Sequence, residues 1–205
     1  MTRLLLVRHG DTDYNHNRRF LGHTDIEMSA FGIKQVMRLR DYIAGEKINA
    51  VFSSDLKRTI KTAEILTAGR KLDIVLCPEL REVNYGECEG LSFGQIGEQY
   101  PDVAAKCLNF NLELDFPGGE DFKTFIKRTR SFLKRLKNQP ANNTVLVVSH
   151  GGPLKTLICH FLGLNMKNWD RIHLDTASLS IVYLNAKNPV LTRFNDTSYL
   201  RDLKP

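Results

Sequence analysis

Short runs of consecutive apolar residues alternate along the chain with longer segments in which apolar residues recur every three or four positions. The short runs predict strands buried on both faces, because consecutive apolar residues cannot alternate between core and water. In chain order, the predicted strands are Leu4–Val7, Ala50–Ser53, Asp73–Leu76, Thr144–Ser149 and Ser180–Asn185, with Val190–Phe194 as a candidate final strand.

The longer segments have the spacing of amphipathic helices. We expect Gly45 to end the first helix and Ser54 or Asp55 to cap the N-terminus of the second. Glu120 and Asp121 precede the third helix, where their negative charges interact favourably with the helix dipole. The apolar stripes are Ile33, Val36, Met37, Arg40 and Ala44; Leu56, Ile60, Ala63 and Leu66; Phe122, Phe125, Ile126, Thr129, Phe132, Leu133 and Leu136; and the segment Leu154–Leu162.

Alternation of strands and helices predicts an α/β fold, a three-layer α/β/α sandwich with a mostly parallel sheet. We expect one domain over residues 1–205, a length that can bury a sizeable core. Residues 83–119 interrupt the rhythm, since they are rich in glycine, asparagine and aromatic residues and contain Pro101 and Pro117-Gly118-Gly119. We interpret this segment as a cap insertion that folds over the carboxyl edge of the sheet.

Composition and charge narrow the classes of protein to consider. The chain is 42% hydrophobic and 25% charged, has no apolar stretch long enough for a membrane span and lacks a signal-peptide pattern, so we expect a cytoplasmic protein. Four scattered cysteines predict reduced thiols rather than a metal site. The formal charge of +6 suits small anionic ligands. Most of the basic residues of the third predicted helix should line its solvated face, and this arrangement does not favour a nucleic-acid partner; they are Lys123, Lys127, Arg128, Arg130, Lys134, Arg135 and Lys137.

Two histidines occupy equivalent positions after two predicted strands. His9 lies within Arg8-His9-Gly10, directly after the first strand, and His150 begins His150-Gly151-Gly152 after the fourth. In open α/β sheets the ligand crevice lies beyond the carboxyl ends of parallel strands. The repetition therefore predicts that both imidazoles lie in one crevice.

A phosphate ligand is the interpretation that the neighbouring residues favour. Arg8 adjoins His9, and Arg58 lies in the first turn of a predicted helix, where a guanidinium and backbone N–H groups can bind phosphate oxygens together. Glu82 opens the proposed cap insertion and is placed to act as a proton donor above the crevice. Glu79, Glu87 and Glu89 are nearby alternatives for that role.

Five motifs in order resemble the histidine phosphatase superfamily, in its phosphoglycerate-mutase-like branch, which includes α-ribazole-5′-phosphate phosphatases of cobalamin biosynthesis. The motifs cover residues 3 to about 185 and are Leu6-Val7-Arg8-His9-Gly10-Asp11-Thr12 with Asn15, Ser53-Ser54-Asp55-Leu56-Lys57-Arg58-Thr59, Leu80-Arg81-Glu82 through Gly90, Pro117-Gly118-Gly119-Glu120, and Val148-Ser149-His150-Gly151-Gly152.

The resemblance implies a metal-independent phosphomonoester hydrolase with no cofactor, acting on a small-molecule phosphate monoester such as α-ribazole-5′-phosphate. His9 would accept the phosphoryl group, and Glu82 would protonate the leaving alcohol and then deprotonate water. The residues implied to contact phosphate or substrate are Arg8, Asn15, Gly22, Arg58, His150 and Gly151.

Two other functions remain open at this stage. A phosphoglycerate mutase would use the same pocket, but mutases of this kind carry a longer, basic insertion, whereas Lys106 is the one lysine here between Glu82 and the helix that begins near Lys123. A non-catalytic phospholigand-binding module would have no need of Glu82. Asp11, Tyr14 and Cys88 depart from the usual residues of the family (glutamate at the first, tryptophan at the other two) and leave the substrate open.

Overall fold

Six strands form a single sheet in the order β3-β2-β4-β1-β5-β6 in the computed structural model, which describes residues 1–110, 112–185 and 188–204. The strands are β1 (Thr2–Arg8), β2 (Ala50–Ser53), β3 (Ile74–Leu76), β4 (Thr144–Ser149), β5 (Leu179–Leu184) and β6 (Val190–Asp196). β3, β2, β4 and β1 run parallel, and β5 is antiparallel to both of its neighbours, β1 and β6. The prediction of a mostly parallel sheet is confirmed.

Helices connect the strands and cover both faces of the sheet. They are α1 (Asp13–His16), α2 (Ala30–Tyr42), α3 (Lys57–Thr67), α4 (Phe93–Gln99), α5 (Pro101–Leu108), α6 (Phe122–Ser131), α7 (Leu133–Lys137) and α8 (Gly151–Phe161). Short 3₁₀ helices lie at Pro78–Leu80, Gly86–Cys88, Met166–Arg171 and Ser198–Leu200.

Strand β1 shows why the apolar runs are uninterrupted. Leu4 and Leu6 pack into one core cluster with residues of α7 and α8, while Leu5 and Val7 pack into a second cluster with residues of α2 and α3. All four side chains are buried. Each face of the sheet therefore has its own apolar layer, and the predicted three-layer sandwich is confirmed.

The predicted apolar stripe of α2 is confirmed at Ile33 and Val36 and wrong in its rotation at Met37 and Ala44. Met37 is 43% exposed and Ala44 is exposed, while Leu39 and Ile43 are buried in the core. The helix also ends at Tyr42, before the expected stop at Gly45. A close approach at Gly32 explains the rotation, because a Cβ atom there would lie 2.1 Å from the backbone oxygen of Asp11.

The predicted N-cap of α3 is also wrong. Neither Ser54 nor Asp55 caps this helix, which begins at Lys57 after Leu56, a residue whose side chain makes no capping bond. Instead, Asp25 accepts a hydrogen bond of 2.7 Å from the backbone N–H of Lys57. Tertiary structure supplies the cap from a loop that is distant in sequence, a relation that the local pattern cannot reveal.

The third predicted helix is divided into α6 and α7 at Phe132. The backbone N–H of Phe132 bonds to Thr129, three residues earlier, which tightens the turn there. Its ring packs edge to face on Phe52 with a centroid separation of 5.4 Å. The predicted place of Asp121 before the helix is confirmed, since its carboxylate accepts the N–H of Thr124 as an N-cap.

Residues 83–119 contain α4, α5 and the 3₁₀ turn Gly86–Cys88, with residue 111 outside the described residues. Their buried side chains form an apolar cluster separate from the two sheet layers. Phe122 and Phe125 of α6, Cys159 of α8 and Met166 complete this cluster. In the part of the chain that the structure describes, no helix has the length and apolar character needed to cross a membrane.

We expect Gly32→Ala to lower the free energy of unfolding by about 2 kcal/mol or more, because backbone atoms of Asp11 occupy the space of the new methyl group. Gly45→Ala is the matched control, since no atom lies within 4 Å of a Cβ at that site. It should change the free energy by less than about 0.5 kcal/mol. Urea denaturation of the two variants measures the difference, and equal effects would contradict the proposed packing of α2.

Candidate active site

Parallel pairing of β1 with β4 brings the two predicted histidines together. Arg8 lies opposite Ser149 in the register, so His9 and His150 are the next residues along neighbouring strands. The backbone N–H of His9 donates to the carbonyl of Ser149 at 3.0 Å. The two imidazole rings meet edge to face, with centroids 5.0 Å apart. The prediction that both rings share one site at the carboxyl edge agrees with this geometry.

His9 is buried with one ring nitrogen directed to a carbonyl. Its Nδ1 lies 2.8 Å from the oxygen of Gly10, and because a carbonyl can only accept, Nδ1 carries the hydrogen. That tautomer leaves the lone pair on Nε2. Burial, reinforced by the positive charges of Arg58 and Arg8, holds the pKa of His9 well below its usual value near 6.5. The ring is therefore neutral and can act as a nucleophile.

His150 is the N-cap residue of α8 and has no exposed surface. Its Nε2 lies 3.0 Å from Oγ of Ser54, while Nδ1 is buried and has no hydrogen-bond partner among the described residues. Burial, followed by the charges of Arg58 and the neighbouring His9 and Arg8, holds its pKa well below the usual range. His150 is therefore a second neutral imidazole, with one nitrogen available to a ligand.

Arg58 is a fully buried guanidinium in the first turn of α3. Its Nη1 donates to the carbonyl of Thr24 at 2.9 Å and its Nη2 to that of Gly22 at 2.7 Å, whereas Nε has no partner in the described chain. Burial lowers the pKa of Arg58 to about 10, so the side chain remains a cation at neutral pH. The carbonyls orient this cation without neutralising its charge.

Arg8, which directly precedes His9, is held in the same way as Arg58. Its Nη1 donates to the carbonyl of Leu174 at 2.5 Å, and its Nε is buried without a partner among the described residues. Burial lowers the pKa of Arg8, although Glu82 nearby opposes the shift. The unpartnered nitrogens of Arg8, Arg58 and His150 together suit an anion, since buried polar groups are normally hydrogen-bonded.

Glu82 is the one of the four candidate carboxylates that reaches the strand ends. Its two oxygens accept the backbone N–H of Gly152 at 3.1 and 3.0 Å, at the N-terminus of α8, and one oxygen also accepts that of Val83 at 2.9 Å. The residue is 7% exposed. A Cβ atom at Gly152 would lie 2.1 Å from the carboxylate, so the glycine is needed for this close contact.

The three competing glutamates have structural partners elsewhere. Glu79 forms an ion pair with Arg135, and Glu87 accepts the hydroxyl of Tyr100 at 2.9 Å. Glu89 binds the loop that positions Arg58, because its oxygens accept the backbone N–H groups of His23 and Thr24, each at 2.6 Å. The sequence presented Glu89 only as a candidate acid, and its position among the glycines gave no sign of this role.

Arg128 is a second residue whose role the sequence did not reveal. It belongs to the set of basic residues most of which are expected on the solvated face, but it is partly buried and donates to the carbonyls of Arg81 at 2.7 Å, Glu82 at 2.6 Å and Glu79 at 3.3 Å. It also pairs with Glu120, which accepts the N–H of Asn84 at 2.9 Å. Arg128 thus fixes the backbone on both sides of Glu82. Helical spacing alone cannot separate such a residue from its exposed neighbours.

The remaining predicted contact residues differ in how closely they approach this cluster. Gly151 begins α8, where a Cβ would lie 3.7 Å from both Arg8 and Glu82. Gly22 contributes its carbonyl to Arg58. Asn15 lies in α1 and exchanges hydrogen bonds with Thr12. Contact of Asn15 and Gly22 with a ligand stays a prediction.

Two adjoining cavities open beside the cluster. The first, of about 180 Å³, is lined by Arg8, Glu82, Tyr85, Gly151, Gly152, Lys155, Trp169, Ile172, His173 and Leu174. The second, of about 250 Å³, has mostly aromatic walls and shares Tyr85, Lys155 and Trp169 with the first. Among the described residues no group of three or more histidine, cysteine or acidic side chains is placed to hold a metal ion.

Comparison with known proteins identifies similar chains over almost the whole length. Residues 4–197 match the histidine phosphatase superfamily (branch 1). Phosphoserine phosphatase 1 of Hydrogenobacter thermophilus is 28% identical over 200 residues, which cover 98% of this chain and 95% of that protein. The crystal structure of the α-ribazole phosphatase from Shigella flexneri has a TM-score of 0.88 at 27% identity and covers 95% and 96% of the two chains. A phosphoserine phosphatase from Entamoeba histolytica, in complex with 3-phosphoglyceric acid, has a TM-score of 0.86 at 28% identity and covers 98% and 100%.

The lowered pKa values of His9 and His150 predict that stability falls in mild acid. Below pH 6.5 the unfolded chain binds protons at both rings and the folded chain does not, so the free energy of unfolding decreases as the pH falls from about 6.5. Each ring contributes up to about 1.4 kcal/mol per pH unit. Urea denaturation between pH 7 and pH 5 measures the slope, which should be flatter in the His9→Gln/His150→Gln double variant. Equal slopes would contradict neutral, buried rings.

Proposed function

We propose that this chain, which belongs to branch 1 of the histidine phosphatase superfamily, is a metal-independent phosphomonoester hydrolase that acts through a phosphohistidine at His9. The observation that carries the proposal is the meeting of two neutral imidazoles at the ends of β1 and β4, near the buried Arg58 and the partly buried Arg8. Phosphoryl transfer needs chiefly positioning and neutralisation of charge, and this arrangement provides both.

Binding of the phosphate uses the groups that lack partners within the described chain. Arg8 and Arg58 each donate an Nε–H to phosphoryl oxygens, and His150 donates from Nδ1 while its Nε2 accepts from Ser54. The backbone N–H of Gly151, at the N-terminus of α8, adds positive potential. Two fixed cations then neutralise the charge that spreads over the oxygens in the transition state.

The reaction proceeds in two steps. Nε2 of His9 attacks phosphorus, the bond from phosphorus to the ester oxygen breaks, and protonated Glu82 gives its proton to the leaving alcohol. Water then attacks the phosphohistidine, its proton passes to Glu82, and cleavage of the P–N bond returns neutral His9 with inorganic phosphate. Glu82 thus serves as acid in the first step and as base in the second.

The ester that the enzyme hydrolyses is the finer part of the proposal. The motifs of the sequence support α-ribazole-5′-phosphate, and the phosphoserine phosphatases among the relatives support phosphoserine as a second candidate. Residues 83–119 act as the cap over the cleft, to which they contribute Tyr85. Four free cysteine thiols favour a reducing, cytoplasmic location. A ranking of kcat/KM over a panel that includes both esters tests the candidates.

Trapping of the intermediate tests the nucleophile. We expect mass spectrometry after an alkaline quench to find a phosphoryl group on His9 during turnover of p-nitrophenyl phosphate, and no adduct in His9→Gln. His16→Gln, on the short helix α1, is the matched control and should keep the adduct. Turnover should also persist in excess EDTA.

Other outcomes of the same experiment identify the alternatives. A loss of turnover in EDTA that added divalent metal restores would contradict the metal-independent mechanism. Folded protein with neither adduct nor turnover would be a phospholigand-binding module. Transfer of the phosphoryl group to a second hydroxyl, without release of phosphate, would indicate a mutase.

A leaving-group series tests Glu82. Glu82→Gln should lower kcat on alkyl phosphates about 100-fold or more, because their alkoxides need protonation as they leave. The same change should lower kcat on p-nitrophenyl phosphate less than about tenfold, since p-nitrophenolate leaves without a proton. Glu87→Gln, whose carboxylate binds Tyr100 instead, is the control and should preserve both rates. Equal losses on the two substrates would remove Glu82 from the acid role.

A further inference from the structure

Lys155 lies where the two cavities of the candidate site adjoin. It is one of three residues that line both cavities, together with Tyr85 and Trp169. On α8 it follows Gly151 by four positions, so the two residues share a helix face. One turn of helix, about 5.4 Å, separates it from the phosphate-binding end of α8. Lys155 therefore faces the space that a leaving group would occupy.

The ammonium group of Lys155 has an aromatic partner but no carboxylate partner. Its Nζ lies 3.6 Å from the centroid of the Trp169 ring. Trp169 is itself held in place, because its Nε1 donates to Oγ1 of Thr156 at 3.1 Å and to the carbonyl of Gly152 at 3.3 Å. Within the described residues the ammonium group of Lys155 makes no salt bridge or hydrogen bond. A partly buried cation that forms no ion pair is costly even with the charges of Glu82 and Asp170 nearby, and a ligand that brings a carboxylate into contact would offset that cost.

The aromatic walls of the second cavity pack on one another instead of leaving a polar contact for a ligand. Phe110 stacks on Trp169 with centroids 5.4 Å apart and meets Phe122 edge to face at 5.1 Å. These rings belong to the apolar cluster of residues 83–119 and α6. Two charged groups line this cavity. Asp170 would repel an anionic ligand, and Lys155 would attract it.

We propose that Lys155 binds a carboxylate on the leaving alcohol and so makes the enzyme selective for phosphate esters of small hydroxy acids. In a three-carbon hydroxy acid the carboxylate can reach one helical turn from the phosphoryl group, which matches the separation of Lys155 from Gly151. This inference rests on the proposed phosphatase function, because it assigns the leaving-group side of the same site.

A matched pair of substrates measures this selectivity. 3-Phosphoglycerate and glycerol 3-phosphate share a carbon skeleton and differ by a carboxylate in place of a hydroxymethyl group. We expect the wild-type ratio of their kcat/KM values to be about 10 or more, since a hydrogen bond to a charged group contributes about 1.5–3 kcal/mol. Lys155→Met should bring the ratio to about 1, while Lys155→Arg should keep most of it. Lys127→Met, an exposed lysine on α6, is the matched control and should keep the wild-type ratio.

The pH dependence of the ratio separates a charge contact from a packing role. Burial lowers the pKa of Lys155 to about 8. The shift is opposed by Glu82, Asp170 and Cys159, which raise the pKa, and is increased by the positive charge of Arg8. The ammonium form binds a carboxylate and the neutral amine does not, so the ratio should fall as the pH rises above about 8. Glycerol 3-phosphate carries the same phosphate group, so pH effects on the phosphate and on His9 enter both kcat/KM values and cancel in their ratio. Lys155→Arg should retain its ratio over this range, because a guanidinium stays protonated.

Three results would overturn the inference. These are equal kcat/KM values for the two esters in the wild type, an unchanged ratio in Lys155→Met, and a ratio that does not change between pH 7 and pH 10. Failure of the proposed function is distinguishable, because a protein that is not a phosphatase would leave p-nitrophenyl phosphate and both glyceryl esters intact. Hydrolysis of p-nitrophenyl phosphate with no preference between the esters would refute the role of Lys155 alone.

Discussion

The parallel pairing of β1 with β4 is the interaction on which the rest of the site depends. Its register sets Arg8 beside Ser149, and from this the contact between His9 and His150 follows directly. A shift by one residue would turn every side chain of the strand to the opposite face. The apolar residues of β1 pack into two separate core clusters, and backbone hydrogen bonds from Arg3 to Asn143 and from His9 to Ser149 hold the two ends of the pairing in this register.

Burial and orientation by backbone carbonyls explain the electrostatics of the site. The two imidazoles are neutral because they lie in a dry environment beside two cations. The cations remain charged because carbonyl oxygens, rather than carboxylates, solvate them: Arg58 binds the 22–24 loop and Arg8 binds Leu174. Their positive charge is consequently left for an anionic ligand, and water need not reorganise when charge develops in the reaction.

Residues outside the cluster hold the segments that deliver its members. Glu89 binds the loop whose carbonyls orient Arg58, and Arg128 binds the carbonyls on both sides of Glu82. The chemistry at the strand ends is thus separate from the selection of the leaving group, which we assign to Lys155, one helical turn further along α8. Relatives can share the chemistry and differ in the leaving group that they select, because a substitution on the second turn of α8 leaves the strand ends undisturbed.

The amino-acid sequence alone determined the strands, the fold class, and the placement of the two histidines at equivalent strand ends, because these depend on local patterns of burial. It also supplied Arg58 and Glu82 as members of the candidate site. The rotation of α2, the cap of α3 by Asp25, and the roles of Glu89 and Arg128 were decided by tertiary structure alone. Each of these depends on contacts between segments that are distant in the chain. A pattern of polar and apolar positions indicates that a side chain is polar, but it does not indicate which carbonyl or carboxylate that side chain will contact in the folded protein.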